Sequence, residues 1–180
     1  MHGLNAVGIW CTITLMNADM IVLFGLPGAG KSFVADVLGD SFGYTLHNGD
    51  EDLPISMKQA LLQKAPITDR MREEFTERMI SSLSRLSKEH TNLACHQTLL
   101  KEFMRERLQK EFPTATFILV TSETAIREKR YMKRKYFNLG LPYLRQMSQA
   151  FEAARIPHQE LINQNDGRQE ILAQLTGIVS

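Results

Sequence analysis

The stretch Gly25-Leu26-Pro27-Gly28-Ala29-Gly30-Lys31-Ser32 constrains this chain more than any other. It fits the spacing G-x-x-x-x-G-K-[ST], and it stands between an apolar run at 20–24 and an amphipathic one at 32–38, the context of strand, tight loop and helix. A loop of this composition curls so that successive backbone N–H groups converge at a helix N-terminus, where the helix dipole adds to their pull on an anion. The pattern assigns Gly25, Leu26, Pro27, Gly28, Ala29, Gly30, Lys31, Ser32 and Phe33 to a bound polyphosphate, with Lys31 reaching its β- and γ-phosphates and Ser32 Oγ ligating Mg²⁺. A glycine loop that merely turns the chain is the competing reading, and the flanking strand and helix weigh against it.

Composition sets the outer limits. A chain of 180 residues with 43% hydrophobic content suits one α/β domain with its own core better than two cramped ones. The formal net charge of +1 gives no global pull toward nucleic acid or membrane, and no apolar run approaches the roughly 18 residues of a membrane span. Cys11 and Cys95 are far apart and follow no ligand spacing, which suits reduced thiols in a cytoplasmic protein. Residues 1–19 read as an N-terminal extension of uncertain structure. Their apolar run at 6–16 resembles a signal-peptide core, but no Lys or Arg precedes it.

Beyond the loop, Phe33, Val34, Val37 and Leu38 recur at helical spacing, with Gly39 placed to close that helix. A second strand over 43–47 ends in Asn48-Gly49-Asp50-Glu51-Asp52, and no Lys or Arg falls between residues 40 and 52. In an α/β chain ligands bind beyond strand ends, so this cluster is either a solvated acidic loop or the acceptor side of a phosphoryl-transfer site. Asp50 is the candidate to orient or deprotonate an acceptor hydroxyl, and Asn48 and Asp50 are candidates to meet Mg²⁺ through water.

The spacing of Phe75, Met79, Ile80, Leu83 and Leu86 predicts an amphipathic helix over 69–86, with Arg70 and Arg72 near its start. Residues 92–95 read as a central strand, followed by His96 and Gln97 and by a helix over 97–110. His96 is either a hydrogen-bonded structural group or a substrate contact. Strands at 115–120 and 160–163 and helices at 143–154 and 168–175 complete five β–α units, the pattern of a parallel sheet covered on both faces.

Arg127, Lys129, Arg130, Lys133, Arg134 and Lys135 form a basic stretch in which Arg127, Arg130 and Arg134 share a helix face. Three readings stay open: a solvated helix, a nucleic-acid patch, or a lid over about 127–142 whose arginines Arg130 and Arg134 stabilise transferring charge.

Together these residues resemble the small P-loop metabolite kinases of the adenylate-kinase-like superfamily, and within it the gluconate kinases. The resemblance runs from about residue 20 to 178. It is carried by the phosphate loop, by Asn48-Gly49-Asp50, similar to the family's Asp-Gly-Asp, by Pro66-Ile67-Thr68-Asp69-Arg70-Met71-Arg72, similar to its P-L-x-D-x-D-R, by Ala94-Cys95 with Leu100-Lys101, and by the basic lid segment.

The resemblance implies a three-layer α/β/α sandwich with a five-stranded parallel sheet in the order 2-3-1-4-5 and a helical lid, in a single domain over 20–180. It implies ATP with Mg²⁺ as phosphoryl donor, catalysis by Lys31, Asp50, Arg130 and Arg134, and a small anionic sugar acid or polyol, gluconate first, held by Asp50, Asp69, Arg72 and His96. A monomer or homodimer acting on a small molecule, with no nucleic-acid or membrane partner, is the corresponding expectation. Asn48 stands where the family has an Asp, and Arg70 and Met71 replace residues that are acidic in its pattern. The glycine triplet of shikimate kinase is absent, the chain reading Cys95-His96-Gln97 there. A nucleotide-binding protein without transfer, or a kinase of another metabolite or nucleotide, remains the alternative.

Overall fold

The computed structural model describes residues 19–134, 138–165 and 167–179. The expected sheet is there. Strands β1 (Asp19–Phe24), β2 (Thr45–Asn48), β3 (Asn92–Gln97), β4 (Thr116–Thr121) and β5 (Gln159–Ile162) form a five-stranded sheet in the order β2-β3-β1-β4-β5, every pair parallel. Alternation along β1 explains the layers. Ile21 and Leu23 face one core with Val34, Val37 and Leu38 of α1 (Lys31–Phe42) and Ile171 and Leu175 of α7 (Arg168–Val179). Met20, Val22 and Phe24 face the other, with Phe75, Met79 and Leu83 of α3 (Asp69–Glu89) and Met104 and Leu108 of α4 (Glu102–Glu111). Successive side chains of a strand point to opposite faces, so one short apolar run supplies both cores.

Of the three remaining helices, α2 (Ile55–Gln63) follows the turn beyond β2, α5 (Thr124–Met132) follows β4, and α6 (Leu141–Ala150) comes after α5 and before β5. Helix α2 and the 3₁₀ turn Gly49–Asp52 lack the long apolar periodicity by which helices are read, and neither was anticipated.

Several boundaries differ from expectation for physical reasons. Gly39 does not close α1. Gly43, at φ 73°, does, with its N–H bonded to Gly39 O, because the left-handed cap is needed where the helix runs into β2. Gln97 ends β3 rather than opening a helix, and α4 starts at Glu102. Helix α6 stops at Ala150, not 154, because residues 152–156 are tied to α4 by a buried pair. Arg105 is fully buried. Its Nε donates to Glu102 Oε2 at 2.6 Å and its Nη2 to Glu152 O at 2.7 Å, while Glu102 Oε1 accepts the N–H groups of Arg155 and Ile156. Residues 1–18, and Lys135, Tyr136 and Phe137 of the lid segment, lie outside the described residues.

Candidate active site

The register of the sheet brings the loop and the acidic strand end together. Phe24, the last residue of β1, pairs with Gln97, and Asn48, the last of β2, pairs with His96. The chain leaving β1 thus meets the ends of β2 and β3 at the point where neighbouring strands are crossed in opposite directions, the place where open α/β sheets bind ligands.

The loop's glycines are forced by close approach. At Gly25, φ 141°, an added Cβ would fall 2.4 Å from Val120 O, and at Gly28, φ 82°, it would fall 2.4 Å from Arg127 O. Gly30, φ 93°, caps α1 without any side-chain hydrogen bond, so the first N–H groups of that helix are left for an anion. Lys31 is folded back under the loop, donating from Nζ to Gly25 O at 2.8 Å, Leu26 O at 3.1 Å and Thr98 Oγ1 at 3.2 Å. Burial lowers its pKa to about 7, Arg134 pushing the same way and Asp50 opposing. Phe33 lends its side chain to the α1 core, so its part in phosphate binding falls to its backbone N–H.

Asn48 has a local task. Its Oδ1 accepts from Asp50 N at 3.1 Å, capping the 3₁₀ turn that carries Asp50. Gly49 lets that turn sit against β3, since a Cβ there would lie 2.9 Å from Gln97 Cβ. Gln97 Nε2 in turn donates to Asp50 Oδ1 at 2.9 Å, and Asp50 lines both recesses described below. Gln97 and Thr98 are the site residues that sequence reasoning passed over. Their signal was position alone, at the C-terminal end of the central strand beside β1.

Two recesses meet here. The donor recess is lined by Gly28, Gly30, Lys31, Ser32, Asn48, His96 and Arg130. A larger cavity of about 260 Å³ opens beside it, walled by the 3₁₀ turn, α2, α3, α4 and α6, with Pro27 of the loop at its edge. Asp50, Gln97, Thr98 and Arg134 line both. Ser32 Oγ and the oxygens of Asn48 and Asp50 are an oxygen donor set around the donor recess, which fits Mg²⁺, a cation that takes few protein ligands beside phosphate and water. Among the described residues no cluster of His, Cys, Asp and Glu forms an all-protein metal site.

Other expected residues sort differently. Arg72 lines the larger cavity, its Nη1 held by Ile67 O at 2.7 Å and Asp69 Oδ1 at 2.9 Å. Asp69 itself is 68% exposed, lines neither recess and accepts from Arg72 Nη1. Arg70 faces a separate recess between α3 and α4 with Glu73, Glu74 and Lys110, away from the acceptor side. His96 belongs to the donor recess and is not a wall of the larger cavity. Burial, with the Lys31 charge beside it, lowers its pKa to about 4, so it is neutral at pH 7 and offers no charge to an anion.

The three arginines of the basic stretch do not share a helix face, because α5 ends at Met132. Arg127 is buried and donates to Ser122 O, Thr124 Oγ1 and Ser148 Oγ, holding α5 against α6. Arg130 reaches the rim of the donor recess, donating to Asn163 O at 2.9 Å and to Ser122 Oγ at 3.1 Å. Arg134 lies past the helix, its guanidinium 5.8 Å from the centre of the Tyr131 ring, at the junction of the two recesses.

No protein-family model matches the sequence and no curated protein does. The fold is another matter. A sugar kinase from Janibacter sp. HTCC2649 superposes with a TM-score of 0.77 at 18% identity, over 90% of this chain and 95% of that one. The chain has the fold of the P-loop kinases. A gluconokinase from Sinorhizobium meliloti 1021 gives 0.72 at 19% identity over 90% and 94%, and the Mycobacterium tuberculosis APS kinase, solved with AMPPNP and APS, gives 0.68 at 13% over 91% and 99%. The neighbours with this fold thus differ in the molecule that their names give. No helix among the described residues is long and apolar enough to cross a membrane.

Proposed function

We propose that this protein is an ATP-dependent phosphotransferase, a single cytoplasmic domain that moves the γ-phosphoryl group to a hydroxyl of a small anionic molecule. Sugar acids, gluconate first, are the acceptor class that the resemblance implies. The observation that carries the reading is the wall common to both recesses, where Asp50, Thr98 and Arg134 face the donor loop on one side and the larger cavity on the other.

In this reading the β- and γ-phosphates lie in the nest formed by 25–33, and Lys31 gives up its loop carbonyls to pair with them. Ser32 Oγ, with Asn48 and Asp50 through water, would hold Mg²⁺, which would supply charge neutralisation to the polyphosphate. Asp50, held by Gln97 and by the Asn48 cap, accepts the proton of the acceptor hydroxyl as the new O–P bond forms. The bond from the γ-phosphorus to the bridging oxygen breaks and ADP leaves. Arg134 at the junction and Arg130 at the rim place positive charge where the transferring group is most negative. Both arginines belong to the segment expected to serve as a lid, and Arg72 pairs with the acceptor's anionic group.

ADP release measured against gluconate, other sugar acids, polyols and nucleosides tests the proposal, with Lys31→Ala as the control for the loop. Acceptor-dependent ADP release that vanishes in Lys31→Ala is the expected result. Tight ATP binding with no turnover on any acceptor would select the alternative, a nucleotide-binding protein that has lost transfer.

A further inference from the structure

The larger cavity is chemically one-sided. It is polar around Asp50, Arg72, Arg134 and the Gln97–Thr98 end of β3, and again at Lys64 and Gln146, but Leu53, Met57, Leu61, Phe75, Met104 and Met147 line much of the rest, with the rings of Tyr131 and Tyr143 among them. The polar groups at its inner end are also largely committed. Gln97 bonds Asp50 through Nε2 and the Thr98 N–H through Oε1, Thr98 Oγ1 accepts from Lys31, and Arg72 Nη1 is spent on Ile67 O and Asp69 Oδ1. Arg72 keeps Nη2 and Nε for one anionic group.

A polyhydroxylated chain placed between Asp50 and Arg72 would set several hydroxyls against thioether and alkyl groups, with only Lys64, Arg134, Gln146 and the Tyr143 hydroxyl beyond the inner end to receive them, and each hydroxyl that misses these loses its water without a partner. An aromatic or branched apolar body would instead displace that water and meet side chains suited to it. The methionines on three different elements can adjust to a flat ring, because the unbranched thioether adapts its shape and makes favourable contacts with aromatic edges.

We propose that the acceptor is an amphipathic hydroxy acid: one reactive hydroxyl at Asp50, one anionic group at Arg72, and an apolar, preferably aromatic, body against the Met57, Leu61, Phe75 and Met147 wall. This rests on the phosphotransferase reading for its hydroxyl and goes beyond it in naming the body of the molecule. Gluconate, with the same two end groups and a polyol between them, falls at the weak end of the range.

The test separates binding from transfer. Calorimetry in the presence of a non-hydrolysable ATP analogue and Mg²⁺ compares 4-(hydroxymethyl)benzoate, gluconate and benzyl alcohol on the wild-type protein. The aromatic hydroxy acid is expected to bind about tenfold or more tightly than either gluconate or benzyl alcohol, the size of preference that a fitted apolar pocket and one good charge pair each give. Arg72→Gln should bring the acid down to the level of benzyl alcohol, and Met147→Gln, a change at a half-buried wall position, should shrink its advantage over gluconate.

Gluconate binding as tightly as the aromatic acid overturns the inference, as does benzyl alcohol binding equally well. Turnover is then read separately with ATP. Tight binding of the aromatic acid without ADP release upholds the acceptor class and overturns the transfer reading. Transfer to gluconate with the higher kcat/KM upholds transfer and overturns the acceptor class.

Discussion

The two halves of the cleft are built by different means. The proposed donor half is one contiguous loop whose backbone N–H groups are open to an anion, forced into shape by Gly25, Gly28 and Gly30 against Val120, Arg127 and Asn163. The acceptor half is assembled from side chains on the 3₁₀ turn, α2, α3, α4 and α6, which no stretch of sequence brings together. A site made of consecutive backbone groups tolerates little change, because each glycine has a neighbour within 2.4 Å of where a Cβ would go or an even closer one. A site made of scattered side chains can change its ligand by replacing one wall at a time. The comparison makes a division of labour: donor-side changes should stop all transfer, and acceptor-side changes should alter which molecule is used.

The largest effect belongs to Lys31→Ala, which removes the charge at the transferring group. A fall of about 10³-fold in kcat with every acceptor is expected in a coupled ADP assay. Next comes Asp50→Asn, which keeps the turn and the Gln97 contact but removes the base. It should lower kcat by about 10²-fold or more while ATP affinity, measured by calorimetry, changes little. The reverse result would move Asp50 to the donor half and break the division.

Gly49→Ala probes the seam between the halves. Its Cβ would press on Gln97 and shift the turn that carries Asp50, so kcat should drop by about tenfold with ATP affinity intact. Arg72→Gln should raise KM for an anionic acceptor by about tenfold to a hundredfold and leave ATP binding unchanged.

A further effect is in pH. Lys31 has its pKa lowered to about 7 in the free protein by burial, and pairing with polyphosphate requires the charged form. ATP binding should therefore take up a proton above pH 7, and affinity should fall by up to about tenfold per unit as pH rises. Binding heats in buffers of different ionisation enthalpy measure that uptake directly. His96, lowered to about 4, should contribute nothing between pH 6 and 9.

Legibility followed the same division. The loop was readable because its chemistry is written in consecutive residues, and strands β1 and β4 because each is a short apolar or β-branched run, whereas β2 (Thr45–Asn48) and β5 (Gln159–Ile162) were marked mainly by the turns around them. Asp50 was readable from its place at a strand end. Helix α2 and the 3₁₀ turn were not, since α2 buries only Ala60 among its residues and leaves Ile55 and Leu62 exposed, so its pattern has no continuous apolar face.

The basic stretch misled in one respect. Spacing put Arg127, Arg130 and Arg134 on one face, but the helix ends before Arg134, and burial of Arg127 between α5 and α6 gives that residue a structural task. Asn48 shows the converse. As a missing acid it seemed a loss at the cation's surroundings, whereas its amide oxygen caps the turn on which Asp50 sits. The apolar wall of the acceptor cavity was invisible because Met57, Phe75, Met104 and Met147 come from four separate helices that no stretch of sequence brings together.

The central claim is that the phosphoryl group passes between the two recesses at Asp50, Thr98 and Arg134. It is tested most directly by following the label of γ-³²P ATP with Mg²⁺ and a panel of hydroxy acids and polyols. The account predicts that label appears in an organic phosphomonoester, one for each ADP formed, and that Asp50→Asn suppresses it without releasing ATP. Label recovered only as inorganic phosphate, or only as bound and unchanged ATP, would contradict it.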